Sequence, residues 1–532
     1  MRIPKKKELL ELQKKYRTDK KIGEVYGVPS RLVTYWRTKK KIAAYSFPKY
    51  TEEKIRELWE RFGDDARSGE ELGISKAGYR QWRRKYQIDN KPLQLRLEQL
   101  ELALPDSNRR KGSRRETIAQ KILAKKSGLK RVDPGEVVSI EPDLAISSAN
   151  SGQIINHFTQ LGADKIWDPS KVIIVLDHQS DNRRNESTPS HKSVREFVKK
   201  QKIKHFFDIG QGISHQLIME NGMALPGQLV LSADSQSSAY GGLGVFSTSL
   251  TSSELAVVWA TGKIWMRVPE SIKIVLNGRL PRGVYAKDIM LKLTRDLEID
   301  GAEYRAIELY GNAVSAMSIS ERFTLTSLSA DIGFKSVMAP FDDVVARYLR
   351  RIIKAKFTPA TADPDTVYCR EHEIDINFLT PQAGSLFGNE GVLPIEEIEG
   401  KRVEQVVLGC CSNGRIDDLE LAAKMLRGRH ISHDLRMLVI PGSRKVLSEA
   451  LEKGFIRTFI DSGCMVLNPS CGSCIDVHDR YLESGERAVT TAGCARAQNA
   501  GNHNLEIYQV SPATAVATAL EGSIADPRRY IK

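Results

Sequence analysis

From residue 115 onward the chain alternates short apolar runs with segments whose apolar positions recur every third or fourth residue. Runs of about four to eight aliphatic residues read as strands buried on both faces, and the longer period reads as helices packed over them. This region is therefore predicted to be α/β layers. Polar residues end the runs. Val172–Leu176 stops at Asp177 and His178, and Leu229–Leu231 stops short of Asp234 and Ser235. Val406–Leu408 stops at Gly409, Cys410, Cys411, Ser412 and Asn413, and Met437–Ile440 at Pro441, Gly442 and Ser443. Open α/β sheets bind ligands beyond the carboxyl ends of their strands. Several strands are thus expected to deliver acids, a histidine and a cysteine to one crevice.

Residues 1–92 follow another rhythm, a repeat at a spacing of 46 that pairs Gly27 with Gly73, Trp36 with Trp82, Arg37 with Arg83 and Ile42 with Ile88. Each unit, 1–45 and 46–92, reads as a helix, a turn carrying the glycine, and a second helix opened by Pro29 or Ser75. The units resemble helix-turn-helix modules, in which the second helix enters the major groove. That resemblance implies DNA contact through Arg31, Arg37, Arg80, Arg83 and Arg84. The plainer alternative makes the tryptophans core and the charges a solvated face, and two similar units would also serve a protein partner. Residues 93–114 are polar and basic and read as a linker, with the second domain spanning 115–532.

Charge sharpens this division. Residues 1–114 hold 30 Lys and Arg against 16 Asp and Glu, while the remainder is balanced at 50 of each, so the whole net charge of +14 lies on the N-terminal piece. A basic part that could meet phosphates is joined to a neutral part with the composition of an ordinary enzyme. No apolar run approaches the roughly 18 residues of a membrane span, and the Lys-rich start lacks the apolar stretch of a secretory signal. Six of the seven cysteines fall after residue 409, which fits a reduced cytoplasmic setting and a metal site better than a disulfide scaffold.

Cys471 and Cys474 form a Cys-x-x-Cys pair about sixty residues after Cys411. By spacing alone a zinc site, an iron–sulfur cluster, a redox disulfide and buried structural cysteines all remain open. Three thiolates on a cluster would leave one iron without a protein ligand, able to act as a Lewis acid.

Longer motifs narrow the choice. Leu408–Leu419, with Gly-Cys-Cys-Ser-Asn-Gly-Arg at its head, resembles the Gly-Ser-Cys-Thr-Asn-x-Arg segment of the aconitase superfamily, and Asn468–Cys474 resembles its Pro-Gly-Cys-x-x-Cys. Glu116–Ala124, Val132–Ala145, Val268–Ser271, Gly283–Ile289 and Ser511–Ala515 are similar to segments of the large subunit of 3-isopropylmalate dehydratase. The resemblance covers about 415 residues in order. It implies a three-subdomain α/β core and a 4Fe–4S cluster held by Cys411, Cys471 and Cys474, with Cys410 in place of a family serine. Cys369, Cys464 and Cys494 match no ligand position and are expected to be small hydrophobes. The implied reaction is loss or gain of water at a small hydroxy-acid. Asp177 and His178 would form an Asp–His pair, His215 would pair with Asp234, and Glu308 would be a further carboxylate of the site. Ser235, Gln236, Asn413 and Arg415 would meet substrate. The family's large subunits take their serine base from a separate swivelling small subunit, so such a partner is expected.

Two departures stand out. The family's Asp-Ser-His is here Asp234-Ser235-Gln236, and glutamine cannot shuttle a proton at neutral pH. Further on, Gly493, Cys494 and Asn499 replace a family Asn, Arg and Arg, removing two guanidinium forks suited to carboxylates. The leading expectation is a hydro-lyase large subunit with an altered pocket. The alternative is a nucleic-acid-binding regulator that uses a degenerate cluster domain as a sensor.

Overall fold

The computed structural model describes residues 4–16, 18–43, 50–62, 64–86, 88, 115–177, 191–298, 304–327, 333–354, 356–385, 391–471, 485–493 and 506–531. His178, Cys474, Cys494, Asn499, the side chain of Ser235 and the linker at 93–114 lie outside the described residues. The chain divides into two compact units, Met1–Gln99 and Leu100–Lys532.

Among its described residues the first unit is helical and contains two small cores. Helices Lys6–Tyr16, Asp19–Tyr26 and Ser30–Lys39 close over Leu9, Ile22, Val33, Trp36 and Ile42. Helices Glu52–Phe62, Asp65–Glu71 and Lys76–Lys85 close over Ile55, Leu58, Trp59, Tyr79 and Ile88. The sequence repeat is thus a repeated trihelical fold, with one more helix per unit than its two-helix pattern suggested. Gly27 and Gly73 take the left-handed turns expected of them, at φ 64° and 65°.

Arg37 and Arg83 are held inside these units. Arg37 binds Asp19 (Nη2–Oδ2 3.0 Å) and donates to the Ile42 carbonyl at 3.1 Å. Arg83 binds Asp65 (Nε–Oδ1 3.0 Å), donates to the Ile88 carbonyl at 2.5 Å and lies 4.0 Å over the Trp59 ring. Both were expected to face DNA; both instead pin the start of the second helix to the chain three residues past the end of the third. Burial alone would raise the two aspartates, but Arg37 and Thr34 on one, and Arg83 and Arg80 on the other, outweigh it and hold both carboxyls below their usual value. Such lowered groups stabilise the fold above the unfolded carboxylate pKa and cease to do so as pH falls through the folded value. Arg83→Met is expected to destabilise its unit by about 1.5–3 kcal/mol at pH 7, because it leaves Asp65 only the half-exposed Arg80 and removes the bond to the Ile88 carbonyl. Hydrogen exchange across residues 64–86 should rise accordingly, and the gap between variant and parent should narrow as the pH falls below about 4 and Asp65 is protonated.

The second unit is built on three larger sheets, in accord with the α/β core expected from the sequence. One has five parallel strands in the order His205–Phe207, Val172–Val175, Leu144–Ser147, Leu229–Ser232, Phe246–Ser249. A second has four parallel strands, Ser336–Met338, Ala306–Tyr310, Ser271–Asn277 and Arg370–Asp375. A third has seven, in which Glu506–Val510, Arg487–Thr490, Gln405–Gly409, Arg436–Ile440 and Met465–Val466 run parallel. Two antiparallel strands, Val392–Pro394 and Gln382–Ser385, extend its edge. Helices cover the sheets, so strands such as Val172–Val175 and Leu229–Ser232 are buried at every position. Among the described residues no helix is long and apolar enough to cross a membrane.

Cys464 is buried, as expected of a small hydrophobe, but Cys369 is exposed. It sits just before the edge strand Arg370–Asp375, and its thiol donates to the Ser271 carbonyl at 3.2 Å.

Candidate functional site

Two of the sheets meet at their carboxyl ends, and Asp177, His215, Asp234, Gln236, Cys411 and Cys471 come together there. In the seven-stranded sheet, strand Gln405–Gly409 turns abruptly into the short helix Cys410–Asn413. Gly409 sits at φ 111° and Cys410 at φ 60°, a left-handed conformation that costs a residue with a Cβ about 1–2 kcal/mol. The strained turn brings Cys411 in behind the strand end, 5% exposed. Its Sγ accepts a hydrogen bond from the Gly493 N–H at 3.2 Å. Cys471 and Cys411 share one apolar cluster with Ile213, Val407, Leu438, Ile440 and Ala492. Cys410, in the same cluster, turns its thiol to the Ser470 carbonyl at 3.7 Å.

The five-stranded sheet supplies the other wall. Past Val172–Val175, the Asp177 carbonyl accepts from the Cys471 N–H at 2.7 Å, and its carboxylate accepts from the Ser214 N–H at 3.2 Å. Ser214 opens helix Ser214–Glu220, and just before it the chain touches the other sheet: Ile213 N–H donates to the Gly442 carbonyl at 2.9 Å. The approach is so close that a Cβ on Gly212 would lie 2.7 Å from the Ser443 Cα. Only glycine fits there.

This contact places His215 against the cysteine turn. Its Nε2 lies 2.6 Å from the Cys411 carbonyl, which can only accept, so Nε2 carries a proton. Its Nδ1 stands 4.0 Å from Asp234 Oδ2, ion-pair distance rather than a hydrogen bond. Burial would depress the imidazole, but the Asp234 carboxylate outweighs it and carries the group up to about 9. Asp234 also caps the following 3-10 helix by accepting from the Gln236 N–H at 3.0 Å.

Gln236 reaches across to the same place. Its amide donates to the Gly493 carbonyl, and Gly493 in turn donates to Cys411 Sγ. A Cβ on residue 493 would fall 2.5 Å from Ser412 Oγ and 3.2 Å from the Gln236 amide. The two departures read in the sequence, at 236 and 493, are therefore in contact: the glutamine lies where a side chain on 493 would begin.

Two expected residues have other partners. The Arg415 guanidinium, 6% exposed, donates to Thr324 Oγ1 and the Ser412 carbonyl and pairs with Asp418 at 4.0 Å. It positions the cysteine turn rather than offering a fork to substrate. Glu308 is fully buried, and it accepts from the Ile118 and Ala119 N–H groups at 2.6 and 3.3 Å and from the Tyr310 and Tyr368 hydroxyls at 2.9 and 2.8 Å. None of these partners belongs to the Cys411–His215–Asp234 group, so Glu308 anchors the start of helix Ile118–Ser127. Burial pushes its carboxyl up, against the pull of the four donors.

Thr324 went unread in the sequence. It receives Asn413 Nδ2 at 3.3 Å as well as Arg415, and it donates to the Ser412 carbonyl at 3.2 Å. Nothing in the pattern of helix Ile319–Thr326 marks this residue, since its partners lie about ninety positions away.

The donor set suits a thiolate-bound cluster in two respects. Cys411 and Cys471 share one apolar cluster, and a backbone N–H already points at a cysteine sulfur. Around them Gln236 Oε1, Ser412 Oγ and Asn413 Oδ1 are buried without a hydrogen-bond partner among the described residues. An unsatisfied buried polar atom costs about 1–3 kcal/mol, which favours a further polar partner beside this cysteine. Among the described residues no group of three or more His, Cys, Asp and Glu is arranged to hold a metal ion.

A family model described as the aconitase family (aconitate hydratase) matches residues 146–397 and 389–522. The match begins past the whole duplicated N-terminal region. Over 416 residues the chain is 39% identical to 3-isopropylmalate dehydratase large subunit 1 of Methanopyrus kandleri, covering 78% of this chain and 99% of that one. It is 40% identical over 420 residues to large subunit 1 of the same enzyme from Thermotoga maritima, covering 78% and 99%. To the probable methanogen homoaconitase large subunit of Methanosarcina mazei it is 38% identical over 375 residues, covering 70% and 95%. The solved holo-form aconitase X of Thermococcus kodakaraensis overlaps with a TM-score of 0.40 at 10% identity, covering 84% of this chain and 93% of that one.

Proposed function

The chain belongs to the aconitase family, and on that premise we propose that it is the large subunit of a cytoplasmic 4Fe–4S hydro-lyase with an altered substrate pocket. Its substrate is a small hydroxy-acid, as with the 3-isopropylmalate dehydratases it resembles. The observation that carries this reading is His215, clamped between the Cys411 carbonyl and Asp234 where two sheets meet.

Cys411, Cys471 and Cys474 would hold the cluster. When bound, it would supply an iron without a protein ligand, a Lewis acid for a hydroxyl group. The remaining work falls to the chain's own side chains. Asp177 ties the Cys471 backbone to helix Ser214–Glu220 and so fixes the distance between thiol and imidazole. His215 holds its Nε2 proton on the Cys411 carbonyl and exchanges a proton at Nδ1, where Asp234 stabilises the charged ring. His178, next to Asp177, is the acid for the departing hydroxyl. Ser235, Gln236 and Asn413 contact substrate, and Arg415 keeps the turn of Cys411 in place. With Gly493 in place of an asparagine, carboxylate recognition differs from that of the relatives.

The relatives' names carry the words large subunit, which supports a small-subunit partner bearing the serine base. The test is a hydration assay of the anaerobically loaded chain, with a swivel-type small subunit, against a panel of unsaturated di-acids and mono-acids. Turnover on at least one member, dependent on the small subunit, is expected. A fully loaded complex inert on the whole panel would overturn the assignment.

A further inference from the structure

The N-terminal unit has no place in the chemistry just described. Its charge is sorted by helix. Helix Ser30–Lys39 carries Arg31, Arg37 and Lys39 and no acid, and helix Lys76–Lys85 carries Lys76, Arg80, Arg83, Arg84 and Lys85 and no acid. The acids of both repeats lie outside these two helices, four of them on Glu52–Phe62 alone. Since Arg37 and Arg83 are consumed by Asp19 and Asp65, the outward faces are other residues: Arg31, Tyr35, Thr38 and Lys39 in one unit, and Lys76, Gln81, Arg84 and Lys85 in the other, all exposed.

Comparing the repeats at their spacing of 46 separates scaffold from surface. The positions that build the fold are kept: Asp19 and Asp65, Gly27 and Gly73, Trp36 and Trp82, Arg37 and Arg83, Ile42 and Ile88. On the outward face of the third helix they differ: Arg31 against Ala77, Tyr35 against Gln81, Thr38 against Arg84. One fold has thus been retained twice with two different exposed faces, each cationic and each on a short helix following a tight glycine turn. A third helix so placed, carrying polar side chains that can meet base edges among cations that meet phosphates, fits the major groove of duplex DNA.

We propose that residues 4–88 bind duplex DNA through helices Ser30–Lys39 and Lys76–Lys85, the two units reading different base sequences. Arg31, Lys39, Lys76, Arg84 and Lys85 take phosphates or guanine edges, and Tyr35 and Gln81 face the bases. Because both units lie on one chain, the second engages at an effective concentration set by the segment joining them, so neither needs to bind tightly alone.

The test uses the full chain and a labelled random-sequence duplex, followed by fluorescence anisotropy from 50 to 200 mM salt. Affinity is expected to fall about a hundredfold or more across this range, since each phosphate neutralised adds about −0.9 to the logarithmic salt slope. The variant Arg31→Ala, Lys39→Ala, Arg84→Ala, Lys85→Ala leaves the Arg37–Asp19 and Arg83–Asp65 pairs in place; it should weaken binding at least tenfold and flatten the slope by up to about 3.6. Its hydrogen exchange across residues 18–43 and 64–86 and its hydratase turnover should match the parent. Selection from a random pool should yield a two-part site, and Tyr35→Ala should relax preference in one part only. Three results would each overturn the proposal: no duplex binding at 50 mM salt, a quadruple variant that binds like the parent, or a preference for single-stranded RNA or a protein over the duplex.

Discussion

Asp234→Asn is expected to lower turnover by about a hundredfold to ten-thousandfold, the range by which positioned proton transfer contributes, while leaving the fold intact. The Cys411 carbonyl fixes the tautomer of His215, because it can only accept from Nε2 at 2.6 Å. Every change of protonation must therefore occur at Nδ1, the nitrogen facing Asp234 at 4.0 Å. With a carboxylate there, the charged ring is stabilised. An asparagine removes the charge and can offer an N–H to Nδ1, which favours the neutral ring. The fold should survive because asparagine caps helices as well as aspartate does, keeping the bond to the Gln236 N–H. The loss should thus fall on kcat, with thermal unfolding shifted little. Turnover within threefold of the parent would mean that His215 only buttresses the cysteine turn.

Gly493→Asn, which installs the residue typical of the family, is expected to damage this protein rather than improve it. The new Cβ would begin 2.5 Å from Ser412 Oγ and 3.2 Å from the Gln236 amide, inside contact distance for both. Forced side chains in a packed interior cost about 1–3 kcal/mol. Here the displaced backbone also carries the N–H on Cys411 Sγ and the carbonyl that accepts from Gln236. Cluster retention and turnover should therefore fall together, with kcat/KM down at least tenfold. Pairing it with Gln236→His should recover part of the loss, because the two positions share one space. A coupling of about 1–2 kcal/mol is expected from the double-mutant cycle, in kcat/KM and in stability. Additivity to within about 0.5 kcal/mol would show that the two departures arose independently.

How much of this could be read from residues alone follows from the range of each interaction. The strand-end rule placed Asp177, Asp234 and Cys411 at sheet ends, because buried parallel strands are short, apolar and abruptly terminated. It left unspecified that these strands belong to two sheets, five-stranded and seven-stranded, so that the crevice lies between sheets rather than at the edge of one. The joint is made by Gly212 against Ser443 and by Ile213 against Gly442, pairs more than 200 residues apart with no local signature. Arg37, Arg83 and Arg415 were misread for a related reason. A cationic residue has the same sequence appearance whether it faces a phosphate or an internal aspartate, and only the fold reveals Asp19, Asp65 and Asp418. Glu308 fits the family order, yet its two tyrosines and a helix start use all of its acceptor capacity. Thr324 was missed outright, being an ordinary helix residue until Asn413 and Arg415 reach it.

Iron and acid-labile sulfide content decides the central claim most directly, measured on chain purified and reconstituted without oxygen, beside Cys411→Ser, Cys471→Ser and Cys410→Ser. The account predicts about four of each per chain in the parent. It predicts loss in the first two variants and full retention in the third, whose thiol is already turned to the Ser470 carbonyl. A colourless, iron-free parent, or a Cys411→Ser variant that loads as well as the parent, would contradict it.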